Sequence, residues 1–105
     1  DLTMRPILNY RYLNRSIKTQ HFKMTTLQGV IPLLKKRDYT ATLYLKDSYL
    51  HIPMFKGHRK YLRFVIDNTH YQFKVLAFGV KSAPRVFTKC LAAVAAHFCR
   101  LGMHV

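Results

Sequence analysis

"ATLYLKDSYLHIPM", Ala41–Met54, alternates apolar and polar residues and then turns polar at Lys46-Asp47-Ser48. Side chains alternate across a strand, so Ala41, Leu43 and Leu45 would face one way and Thr42 and Tyr44 the other. The pattern predicts a strand over Tyr39–Leu45, ending in a turn that carries the acid Asp47. Tyr44 puts a phenol three positions before that acid, on the face opposite the leucines.

Working outward, "TTLQGVIPLLKK", Thr25–Lys36, changes period. Thr25 and Gln28 form a capping-box pattern, and Leu27, Val30, Ile31 and Leu34 share one helical face. Gly29 and Pro32 make this helix short or kinked, and Lys35, Lys36 and Arg37 suit its C-terminus. The earlier "RPILNYRYLNR", Arg5–Arg15, alternates only partly and is expected to be extended and half-exposed. Downstream, "KYLRFVI" and "HYQFKVL" flank Asp67-Asn68-Thr69, which predicts a hairpin with a three-residue turn. One face of that hairpin would be wet and positive, with Lys60, Arg63, His70, Gln72 and Lys74. In "LAFGVKSAPRVF", Leu76–Phe87, a loop enters a helix, with Ser82 as N-cap and Pro84 in the first turn. Phe87, Cys90, Leu91, Val94, Phe98 and Leu101 recur at helical spacing as a packing stripe, and Gly102 ends the run. The order of elements predicts one α+β domain, mainly antiparallel strands with helices packed on one face.

The chain has 105 residues and carries 18 Lys and Arg against four acids, a formal net charge of +14. The acids are Asp1, Asp38, Asp47 and Asp67, and there is no Glu. Such an excess attracts polyanions, nucleic acid first among them, because each neutralised phosphate releases condensed counterions. The basic residues are spread along the chain instead of lining one amphipathic helix, which argues against a membrane surface. No apolar run approaches the roughly 20 residues that span a bilayer. Without a leader or a polar tail, the sequence reads as an internal segment. Cys90 and Cys99 suggest a reducing intracellular setting. Together with His97 and His104 they lack the close Cys pairs of a structural zinc site. "NRS" at Asn14 matches a glycosylation acceptor but has no sign of secretion behind it.

Three blocks in order, "RPILNYRYLN", "TLYLKDSYLHIP" and "HRKYLRFVIDNTHYQFKVLAFGVKSAPRVF", resemble the fingers and palm of a retroelement reverse transcriptase. "GHRKYLRF" and "SAPRVFTK" are closest to the wording of DIRS-type and gypsy-like retrotransposons, and the likeness covers nearly the whole chain. It implies a polymerase fragment with fingers at about residues 1–18 and 52–82 and palm at about 19–51 and 83–105. The implied parent activity is RNA-directed DNA synthesis on an RNA or DNA template–primer with deoxynucleoside triphosphates, in cytoplasm or nucleus, with Mg²⁺ as cofactor.

By resemblance, one metal-binding Asp would stand where this chain has Tyr44, and two more would come from a Tyr-x-Asp-Asp hairpin that the 105 residues do not contain. Mg²⁺ wants hard, anionic oxygen, and a Tyr hydroxyl with pKa of about 10 is neutral at pH 7. No complete metal site is therefore expected, and the chain is expected not to polymerise. The resemblance also assigns nucleotide contacts to Arg5, Asp47, Ser48, Tyr49, Phe78 and Gly79. Tyr49 falls at the steric gate against a ribose 2′-hydroxyl, and Arg5 at a phosphate clamp. Ala77, Val80, Ser48 and Leu50 depart from the usual pattern, as a decayed copy would. Two other readings stand beside this one: a non-catalytic basic module that binds nucleic acid through its basic hairpin (Lys60, Arg63 and Lys74) and the Arg5 segment, and an inert remnant. In duller terms, Tyr49 and Phe78 are core aromatics, Asp47 is a turn residue and the cations are solvated charges.

Overall fold

Leu62 and Leu76, 1% and 3% exposed, anchor a small core that gathers Tyr10, Ala77, Val80 and Ala83. The computed structural model describes residues 6–105, so Arg5 lies outside the described residues. Among the described residues, three α-helices, three 3₁₀ turns and one antiparallel pair of strands make a mixed α+β chain.

Helix α1, Arg11–Ser16, forms where extended chain was expected. The partial alternation of Tyr10–Asn14 is equally compatible with a single amphipathic turn, and burial of Tyr10 and half-burial of Leu13 against the core select it. Helix α2, Leu27–Val30, passes directly into a 3₁₀ turn, Ile31–Leu33. Its brevity follows from Gly29 and Pro32, as expected. Its cap is Thr26, not Thr25: the Thr26 hydroxyl accepts from the Gly29 N–H at 3.2 Å.

Strands β1, Arg63–Ile66, and β2, Thr69–Gln72, pair antiparallel, Arg63 opposite Gln72 and Ile66 opposite Thr69. The turn has two residues and not three, because Asp67 (φ 48°) and Asn68 (φ 61°) both take the left-handed conformation of a type I′ turn. This frees Thr69 to join the ladder. Phe64 and Tyr71, directly opposite, stack at 5.5 Å on one face. Arg63, His70 and Gln72 share the other, which is the wet face anticipated. Beyond β2 the chain runs beside residues 52–54: Pro53 bridges Val75, and the Met54 N–H donates to the Lys74 carbonyl at 2.8 Å.

The strand expected over Tyr39–Leu45 does not form. Residues 18–46 are exposed apart from half-buried Val30, and no element among the described residues pairs with Ala41–Leu45. A strand needs a neighbour to satisfy its backbone, and alternation alone supplies none. The radius of gyration, 17.6 Å, exceeds the roughly 13 Å of a compact domain of this length for the same reason.

Helix α3, Ala83–Arg100, is the longest element, with Pro84 in its first turn. Ser82 contributes only its backbone, since its side chain makes no capping bond. Gly102 (φ 89°) donates to the Cys99 carbonyl and Met103 to that of Phe98, a Schellman stop. The stripe packs in part: Val86 meets the core and Phe87 and Phe98 are half-buried, whereas Cys90, Leu91, Val94 and Leu101 are exposed. No helix among the described residues is long and apolar enough to cross a membrane.

Candidate functional site

A turn at the end of an apolar stretch, a loop before a helix and the helix itself meet at Tyr49. Asp47 takes a left-handed conformation (φ 51°), which reverses the chain and starts the 3₁₀ turn Ser48–His51. The Leu50 N–H donates to the Asp47 carbonyl at 2.9 Å, and His51 Nε2 bonds the Lys46 carbonyl at 3.0 Å. This geometry holds Tyr49 over the loop that precedes α3. Its ring lies 5.0 Å from that of Phe78 and 5.3 Å, edge to face, from that of Phe87. Two residues singled out in blocks 29 positions apart (Tyr49 and Phe78) are thus in contact.

Gly79, beside Phe78, has φ 92°, a conformation that side chains resist. The loop is held there by a residue that sequence reading did not single out as a site residue. Asn14, at the middle of α1, donates from Nδ2 to the Gly79 carbonyl at 3.0 Å and accepts at Oδ1 from the Lys81 N–H at 2.7 Å. Lys81 Nζ also reaches the Ile17 carbonyl at 3.4 Å. One side-chain amide, using donor and acceptor together, fixes the loop at Gly79 and Lys81 to α1. The signal was present in the sequence only as a polar residue between Leu13 and Ile17, which face the core.

Tyr44 lies apart from this cluster in burial. It is 86% exposed, in a segment with no strand partner among the described residues. Asp47 and Ser48 are half-buried at the turn. The described residues contain no group of three His, Cys, Asp or Glu able to hold a metal ion. The acids among the described residues, Asp38, Asp47 and Asp67, do not fit a two-metal carboxylate centre.

The cations named from sequence occupy a second place. Lys60 is exposed in the 3₁₀ turn Lys56–Leu62, with Nζ 5.2 Å from the Tyr61 ring centre. Arg63 Nε donates to Gln72 Oε1 at 3.4 Å across the hairpin. Lys74 is exposed just past β2, its carbonyl engaged by Met54. Lys60 and Arg63 lead into β1 and Lys74 follows β2, so all three lie at the open end of the hairpin, away from the turn that carries Asp67.

No family model matches the chain. Its curated relatives are polyproteins. The genome polyprotein of Petunia vein clearing virus is 26% identical over 87% of this chain. The enzymatic polyprotein of figwort mosaic virus is 24% identical over 81%. The retrovirus-related Pol polyprotein from transposon 412 of Drosophila melanogaster is 26% identical over 83%. The chain spans only 4%, 13% and 7% of those proteins, respectively. It is similar to a short region of viral and retrotransposon polyproteins.

Proposed function

We propose that the chain is a reverse-transcriptase-like fingers-and-palm piece that holds nucleic acid and does not polymerise by itself. The observation that carries this reading is the meeting of Tyr49 and Phe78 beside the Asp47 turn, with Gly79 clamped by Asn14. In the family that the sequence resembles, those blocks form the seat of the incoming nucleotide, and here they come together without a metal-binding carboxylate at position 44. The likeness to Pol polyproteins supports the same origin.

The basic edge Lys60–Arg63–Lys74 supplies the affinity in this reading. Phosphate contacts of this kind position a duplex without reading its sequence, so binding falls with salt and ignores base order. Position 44 holds a phenol and no carboxylate to counter a divalent ion, and restoring one carboxylate leaves the set incomplete. Primer extension tests this directly. With Mg²⁺ or Mn²⁺ on a primed RNA template, neither the wild-type chain nor Tyr44→Asp adds a nucleotide, although both bind the template–primer. Extension by the unmodified chain would refute the reading.

A further inference from the structure

We propose that the 3₁₀ turn Lys56–Leu62, together with Phe55, is a stacking ledge for an unpaired polynucleotide strand. This rests on the reading of the chain as a nucleic-acid holder, but assigns a different surface and a different form of the partner.

A 3₁₀ helix has three residues per turn and rises about 2 Å per residue, so side chains three apart eclipse about 6 Å from one another. Phe55, His58 and Tyr61 therefore form one column, and their ring centres lie 5.1 and 6.2 Å apart. Leu62, in the next column, is buried and anchors the turn, and Arg59 Nε donates to the Met54 carbonyl at 3.1 Å. The third column holds Gly57, Lys60 and then Arg63 at the start of β1. One side of the turn is thus fixed to the core while aromatic and cationic columns stand side by side on the outside.

The aromatic column is open. Phe55 is 70% and Tyr61 54% exposed, and the rings meet at 72° and 47° rather than stacking flat on one another. Lys60 Nζ meets one face of the Tyr61 ring at 5.2 Å, and the exposed surface of Phe55 and the rest of Tyr61 is available to a base. Gly57 keeps the Phe55 ring where it is: a Cβ there would come within 2.8 Å of Phe55 Cε1. The inner edge of the column, His58 and Tyr61, borders an apolar groove of about 640 Å³ that also meets Ile17, Met54 and Val86. A flat, weakly polar base suits such a recess, while Lys56, Lys60 and Arg63 suit the phosphates that follow it. Duplex DNA or RNA keeps its base faces covered, so it could use the cations and not the rings. Aromatic platforms interleaved with cations bind single strands with little regard for sequence.

The test uses the 105-residue chain and labelled dT12, rU12 and a blunt hairpin duplex, with affinity read by fluorescence anisotropy across a salt series. Replacing both rings (Phe55→Leu, Tyr61→Leu) is expected to weaken dT12 and rU12 binding by about 10- to 100-fold, with the salt dependence unchanged. Duplex affinity should stay at the wild-type value. The pair Phe55→Tyr, Tyr61→Phe should bind single strands normally, which separates stacking from misfolding. Gly57→Ala, which keeps both rings but displaces one, should lose part of the single-strand affinity. Equal single-strand binding by the leucine pair would overturn the ledge and leave salt-dependent duplex binding intact. Displacement of dT12 by polyglutamate, charge for charge, would also overturn it, since the site would then be a general polyanion or acidic-protein surface. Absence of all binding at low salt would overturn both the ledge and the broader reading.

Discussion

Replacing Asn14 by alanine removes two hydrogen bonds that join residues 65 and 67 positions apart. Nothing else in α1 can reproduce both, since the carboxamide gives to Gly79 and takes from Lys81 at once. The bonds are accessible to water, so each is placed at the lower end of the usual net range, for about 1–2 kcal/mol together. For a domain near this size that lowers the melting temperature by about 5–12 °C. Asn14→Asp keeps an acceptor for Lys81 but sets a carboxylate against the Gly79 carbonyl, and it should recover no more than half the loss. Circular dichroism melting gives the global effect, and hydrogen exchange at the Lys81 amide gives the local one. An Asn14→Ala protein that melts with wild type and keeps that amide protected would show that the clamp does not hold the loop.

Tyr10 offers a test of opposite sign. It is buried, its hydroxyl has no partner among the described residues, and burial raises its pKa above the ordinary 10.0. Tyr10→Phe should therefore stabilise the chain by about 1 kcal/mol, seen as a higher urea midpoint. As pH rises past 10 the unfolded chain releases the Tyr10 proton before the folded one does, so stability declines there, and the Phe variant should decline less. Gly79→Ala meets no steric obstacle closer than 3.7 Å, yet must adopt φ 92°, so it should cost about 1–2 kcal/mol from backbone strain alone. Chemical-shift changes should centre on residues 78–81, and a change confined to remote residues would contradict that cause.

Helix α3 was legible because its pattern runs for five turns and a glycine sits where the left-handed stop is needed. The hairpin was legible for a related reason: alternation in both arms agrees with Asp-Asn, a pair that tolerates positive φ. Tyr39–Leu45 misled because the same alternation reports only a willingness to be a strand. No other segment of the described chain pairs with it, so the preference goes unrealised. Helix α1 was missed because its six residues are stabilised by what Tyr10 and Leu13 touch, which lies some sixty residues away. The contact of Tyr49 with Phe78 was likewise invisible to periodicity; family resemblance put both in nucleotide-facing turns, and tertiary structure brings the turns together. Asn14 had no local pattern at all, since its two partners belong to a distant loop.

The most direct test of nucleic-acid holding is the salt dependence of template–primer binding, measured for wild type and for a Lys60→Gln, Arg63→Gln, Lys74→Gln chain. Three lost phosphate contacts should flatten the log–log slope by about 2.7, equivalent to about 40-fold between 50 and 200 mM salt. A slope unchanged by the three substitutions, or binding indifferent to salt in the wild-type chain, would contradict the account.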